Sequence, residues 1–400
     1  MNRSLKLVAP LVAALAVAAC NGGTSTMPSA AGSAAAESQS VPQWLASHSA
    51  VAACPGDRRH GQMQCDAIVM NAHSGMQPNV IGLAPIDFQT AYNLPSSTKG
   101  KGQTVFIVDA FDNPDVASDI VTYRTNFGLG KVNFKKYNQS GQQSNYPSGN
   151  QNWGFEIDLD VQMASASCPN CNISLIEANS NNTNDLYAAE QEAVKLGAKV
   201  ITNSWGGGGG SNSGGAFDSK GVVYLASAGD GGYGMQDPAD YQTVVSVGGT
   251  NLSKQGSTYV ESVWRLTGGG CSVVNKPSWQ KDPGCTKRTG NDVAAVSVNV
   301  AEYDSYGYGG WREASGTSVS SPLLAGVFAL AANESTHQSG KPFWTLKKKK
   351  LKKDLHYIST GGNGCPTSIP GSYLCTAGTN QFGTYSGPAG WGTPNGIGAF

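Results

Sequence analysis

The apolar positions of this chain fall into short continuous runs separated by longer mixed stretches. Thr104-Val105-Phe106-Ile107-Val108 is β-branched and apolar and ends at Asp109, the pattern of a strand buried on both faces. Similar runs recur at Ile173 to Ile176, Lys199 to Thr202, Val222 to Ala226 and Val244 to Val247. Between several of them lie helical stretches, such as Asp185 to Leu196 and a segment that starts at Glu156 and runs through Ala166. A further helix is predicted over Leu323 to Leu330. Pro322 opens it, since proline lacks only a donor that a first turn leaves unpaired. Strands alternating with helices predict an α/β fold, with a central, mainly parallel sheet and helices on both faces.

The N-terminus follows other rules. Arg3 and Lys6 precede an apolar stretch from Leu7 to Val17, and the small residues Ala18 and Ala19 precede Cys20. Residues 1–19 therefore read as an export signal, too short to span a bilayer comfortably. Val17-Ala18-Ala19-Cys20 resembles a bacterial lipobox, which implies a lipid on Cys20 and a cell-envelope protein. Asn21 after that cysteine favours the outer membrane of a two-membrane host; an ordinary signal cut near the same point would leave a secreted protein. Residues 20–45 are rich in Ser, Ala, Gly and Thr and read as a flexible tether. Residues 46–81 form a short cysteine-containing lead-in, and 82–400 one large domain.

Composition narrows the partners. Lys+Arg and Asp+Glu both total 27, so no net field draws the chain to nucleic acid. Membrane contact is expected only through the N-terminal lipid, and a monomer is expected. The lysines at 347, 348, 349, 350, 352 and 353 read as a solvated helix face and receive no function. Of nine cysteines, removing Cys20 leaves eight in neighbouring pairs: Cys54 with Cys65, Cys168 with Cys171, Cys271 with Cys285, and Cys365 with Cys375. Neighbour pairing is the economical choice among many connectivities. Cys168-Pro169-Asn170-Cys171 has no second CxxC or adjacent histidines, which favours a structural disulfide over a metal or redox site.

The candidate chemistry centres on Ser315-Gly316-Thr317-Ser318-Val319-Ser320-Ser321-Pro322. Ser318 stands at or near a helix N-terminus, where the helix dipole favours developing negative charge. A serine hydroxyl needs a base to take its proton and a third group to hold that base. None of His48, His60, His73, His337 and His356 precedes Gly-Thr, and none lies between the first strand and the following helix. Carboxylates offer the other route. Glu156 and Asp160 stand one helical turn apart on one face, while Asp158 points elsewhere. Adjacent carboxyls resist joint ionisation, which suits Glu156 as base with Asp160 orienting it and sharing its proton. An acidic first turn would also fit these residues taken alone. Ser227-Ala228-Gly229-Asp230-Gly231-Gly232 follows a strand and offers Asp230 to a developing oxyanion, as a donor only when protonated.

Together, Glu-x-x-x-Asp at 156 and 160, Ser-Ala-Gly-Asp230 and Ser-Gly-Thr-Ser318 resemble the sedolisins, the serine-carboxyl peptidases. The resemblance spans roughly residues 82–400, including Gly392-Thr393-Pro394-Asn395-Gly396. It implies a subtilisin-like three-layer fold and acid-favouring proteolysis of proteins or peptides, as an endopeptidase. The alternatives are a tripeptidyl-type exopeptidase or an inactive peptidase-fold scaffold that binds peptides. Asp109 matches the strand end where subtilisins keep a catalytic aspartate, which makes it a secondary candidate. The resemblance also implies a long prosegment blocking the site, for which residues 41–80 are too few, and one calcium ion near the C-terminus. Tyr357 and Ser386 stand where its two aspartates are expected. No metal and no other cofactor are therefore expected.

Overall fold

The computed structural model describes residues 50–56, 61–70, 79–207, 214–336 and 338–400. The export signal, Cys20 and the tether lie outside the described residues. Among the described residues no helix is long and apolar enough to cross a membrane.

The apolar runs form one sheet. Its strands are β1 (Thr104–Ala110), β2 (Phe134–Asn138), β3 (Asn172–Ala178), β4 (Val200–Asn203), β5 (Val223–Ser227), β6 (Val244–Gln255), β7 (Thr258–Val263) and β8 (Val293–Val296). The order is β7-β6-β5-β4-β1-β3-β2, with β8 paired to β6. Every pairing is parallel except β6 with β7, an antiparallel hairpin. Parallel strands are covered on both faces, which explains why β1 is buried from Val105 to Ala110. The connection from β1 leads to β2 and β3 on one side, and β4 lies on the other. This reversal opens a crevice at the carboxyl ends of β1 and β4.

Helices α1 (Pro85–Ala91), α2 (Val116–Asn126), α3 (Gln151–Ser167), α4 (Thr183–Lys195) and α5 (Thr317–Ala331) cover the sheet. Two of these, α3 and α5, begin more than a turn earlier than the sequence predicts. The Asn150 side chain accepts the N–H groups of Asn152 and Trp153 at 3.0 and 3.1 Å and caps α3, which starts at Gln151, ahead of Glu156. Glu156 and Asp160 thus belong to the middle of the helix, and the acidic-first-turn alternative does not apply. Helix α5 starts at Thr317, which leaves Pro322 inside it and Ser318 in its first turn.

Helices α3 and α5 pack against one another. Gly326 makes this possible, because a Cβ there would collide with the Ser167 hydroxyl. Four disulfides join Cys54–Cys65, Cys168–Cys171, Cys271–Cys285 and Cys365–Cys375. The lysine run forms a short helix, Lys348–Asp354, that buries Leu351 and Asp354 and leaves its lysines in solvent.

The lead-in is built into the domain. Val51–Ala52 and Ile68–Met70 pair with each other, and Ile68–Met70 pairs with Gly310–Ser315, the strand that feeds α5.

Candidate active site

Four elements meet at the crevice. Helix α5 carries Ser318, α3 carries Glu156 and Asp160, the end of β1 carries Asp109, and the turn after β5 carries Asp230. Gly316 precedes α5 with φ 131°, a conformation that favours glycine, and it turns the chain so that Ser318 enters the first helical turn.

Ser318 is fully buried, and its hydroxyl donates to the Ser204 carbonyl at 3.3 Å. The Ser204 hydroxyl donates back to the Ser318 carbonyl at 3.5 Å. Glu156, Asp160 and Asp109 are fully buried beside it. Burial raises the Glu156 carboxyl well above its usual range. The charges of Asp160 and Asp109 raise it further, while the nearby Ser318 hydroxyl favours the charged form. Burial likewise raises Asp160, against the stabilising influence of Ser204 and Glu156. Asp109 is raised by burial, then by Asp160 and Glu177. These carboxyls cannot all ionise together, so protons are shared along a row that starts at the serine.

The row continues to the surface. Glu177 is pushed up to about 9, chiefly by burial, and Lys136 pairs with it at 3.4 Å. Asp158, on the same helix, faces a separate cluster with Asp119 and Asp304, whose carboxylate oxygens lie within 4.8 Å of one another. Asn113, Ser305, Gly307 and Tyr308 already donate to those oxygens. This cluster does not belong to the serine.

Asp230 stands on the other side of the nucleophile. One of its oxygens accepts the Thr317 N–H at 2.8 Å and the Thr317 hydroxyl at 2.9 Å. It therefore braces the turn that presents Ser318. His356 contacts the Ala91 carbonyl at 3.1 Å, and no other histidine lies among the described residues.

The calcium site implied by resemblance does not fit. The Tyr357 hydroxyl donates to Asn380 at 3.4 Å, and Ser386 is buried without a hydrogen-bond partner for its hydroxyl. Neither stretch supplies the anionic oxygens that a hard dication needs.

One set of residues at this site escaped the sequence. The lead-in passes directly over Ser318. Gln64 and Cys65 pair antiparallel with Gly206 and Trp205, and Asp66 donates its N–H to the Ser204 carbonyl at 3.0 Å. The Ser318 N–H donates to the Asp66 carbonyl at 3.3 Å. Residues 41–80 were expected to be too few to block the site, yet their described part lies across it. Nothing in its local sequence signals this, because the contact depends on where a strand of the far domain lies.

The subtilase family (peptidase S8) matches residues 163–354, a stretch that holds Asp230 and Ser318 but starts just past Asp160. Sedolisin from Pseudomonas sp. (strain 101) is 26% identical over 361 residues, 78% of this chain and 60% of that protein. A solved structure of Pseudomonas sedolisin, described as a serine-carboxyl proteinase complexed with pseudo-iodotyrostatin, superposes with a TM-score of 0.65 at 26% identity. It covers 79% of this chain and 96% of its own. The chain is similar to the sedolisins, and it shares the subtilisin-like α/β fold of that sedolisin structure. Xanthomonalisin from Xanthomonas sp. (strain T-22) is 31% identical over 156 residues, 33% of this chain and 19% of that protein. The chain thus spans 60% and 19% of the lengths of these two relatives.

Proposed function

We propose that the protein is an exported serine-carboxyl endopeptidase that cleaves proteins or peptides, with acid favoured. Ser318 attacks the peptide carbonyl, Glu156 takes its proton, and Asp160 holds Glu156 and shares a proton with it. Asp230, when protonated, donates to the oxyanion. Asp109 tunes the carboxyl row from behind and does not touch substrate. No metal takes part. The observation that carries this reading is the burial of Ser318 against Glu156 and Asp160, with no histidine among the described residues near them. Acid preference follows because an oxyanion facing Asp230 needs a donor, and a carboxyl donates only when protonated. A signal over residues 1–19 followed directly by Cys20 supports attachment to the cell envelope through a lipid.

The test is casein digestion at acidic pH by wild-type protein and by Ser318→Ala. Wild type is expected to digest casein and the variant to leave it intact; equal digestion by both overturns the assignment.

A further inference from the structure

The lead-in does more than lie near the serine. It crosses the cleft in the extended form that a peptide adopts when it adds a strand to a sheet edge. Before the Asp66–Ala67 bond, Met63 donates its N–H to Asn181 at 2.8 Å, and Gln64–Cys65 pairs with Trp205–Gly206. After the bond, Ile68–Met70 pairs antiparallel with Glu313–Ser315. The bond between these two clamps faces the turn Gly316-Thr317-Ser318. The Asp66 carbonyl oxygen takes the Ser318 N–H, and a Cβ on Gly316 would strike that same oxygen. Hydrogen bonding from the nucleophile's own N–H is how an acyl oxygen is held for attack.

The Asp66 side chain enters a pocket of its own. Its carboxyl accepts the Ser227 hydroxyl at 2.6 Å and the Gln236 amide. Gln236 also donates to the Ser227 carbonyl at 3.1 Å, which fixes the amide with its donors towards Asp66. Side chains at Gly206 or Gly229 would collide with Gln236, so these two glycines form the wall behind it. Two hydrogen-bond donors converge on one buried carboxyl.

We propose that Asp66–Ala67 is a bond the protein cleaves in itself, and that its cleft selects aspartate on the acyl side of the bonds it cuts. This rests on the reading of Ser318 as nucleophile. Ser318 Oγ bonds to the Asp66 carbonyl carbon, and its proton passes to Glu156 and then to the Ala67 nitrogen as the C–N bond breaks. Water then hydrolyses the Asp66–Ser318 ester, which frees an Asp66 carboxyl terminus and restores the serine. Cys54 and Cys65 both precede the cut, so their disulfide travels with the N-terminal piece. That piece vacates the cleft by losing only its hydrogen bonds and packing.

The full chain, as wild type and as Ser318→Ala, is purified and incubated at acidic pH, and its fragments are read by intact mass and N-terminal sequencing. The expected result is an Ala67 N-terminus from wild type and an intact Ser318→Ala chain. An Ala67 terminus from both overturns the proposal, because another peptidase then makes the cut. Specificity is read on peptides with Asp, Asn or Ala on the acyl side of one bond. Asp is expected to exceed Ala on the order of tenfold in kcat/KM, and Gln236→Leu to remove most of that ratio. In the chain itself, Asp66→Ala is expected to slow cleavage by a similar factor and Asp66→Asn, which keeps an acceptor oxygen, to restore part of it. Casein digestion without an Ala67 terminus or an Asp preference overturns this proposal and leaves the peptidase reading standing. Loss of casein digestion as well overturns both.

Discussion

The main-chain N–H of Ser318 donates to the carbonyl oxygen of Asp66 at 3.3 Å, across 252 positions of sequence, 318 − 66. One N–H supplies only part of an oxyanion site, and Asp230 is the side chain that stands across the same turn. The two carboxyls nearest the chemistry should therefore fail differently when altered. Glu156→Gln keeps the shape but cannot accept the serine proton, and kcat is expected to fall by about 10³-fold or more. Asp230→Ala removes a donor and loosens Thr317, and a fall of about 10² to 10³-fold is expected. Steady-state kinetics on an Asp-containing peptide, with circular dichroism to confirm folding, checks both.

The Asp160 charge helps raise the Glu156 carboxyl. Asp160→Asn removes it and should lower the Glu156 pKa, which shifts the acid limb of the kcat/KM profile to lower pH. Peak activity should fall as well, since Glu156 loses the partner that holds its proton. An acid limb that stays in place would show that Asp160 is uncharged throughout the working range.

Burial of many carboxyls gives stability an uncommon pH dependence. Asp304 is pushed up to about 6, Asp240 to about 8 and Glu177 to about 9, each chiefly by burial. An acid with a raised folded pKa binds its proton more tightly when folded. Its contribution is complete below the unfolded value near about 4 and is lost as pH climbs through the folded value. Each such group steepens the loss by up to about 1.4 kcal/mol per pH unit within its window. Asp87 goes the other way: burial raises it, but Ala84, Lys254 and Tyr259 outweigh that, so its contribution is lost as pH falls. The raised groups outnumber it, and Tm is expected to be higher at about pH 4 than at about pH 8. Thermal melts of Ser318→Ala, which avoids self-digestion, measure this.

Chelation tests the metal. With Tyr357 and Ser386 in place of anionic ligands, EDTA is expected to change neither Tm nor the rate of casein digestion. A drop restored by added calcium would point instead to the buried carboxyls Asp119, Asp158 and Asp304.

Much of the fold was legible because parallel strands, covered on both faces, must be apolar at nearly every position. The run ending at Asp109 could hardly be anything else. Helix starts were less legible: Asn150 caps α3 through its side chain, and the first turn that follows it carries no acidic residue to mark the start. The serine, the two helix carboxyls and Asp230 stood out through local spacing. Asp66, Ser227 and Gln236 did not, because what unites them is a strand crossing from the N-terminal segment. Such pairing over a long sequence separation leaves no periodicity to read.

Gly316 serves two ends at this site. Its φ of 131° aims the nucleophile, and its bare α-carbon leaves the room into which the Asp66 carbonyl fits. A single added methyl would disturb both at once, leaving every reactive group present and the doorway shut. The capacity to receive an acyl group is thus set by a hydrogen atom, at a position that has no chemistry of its own.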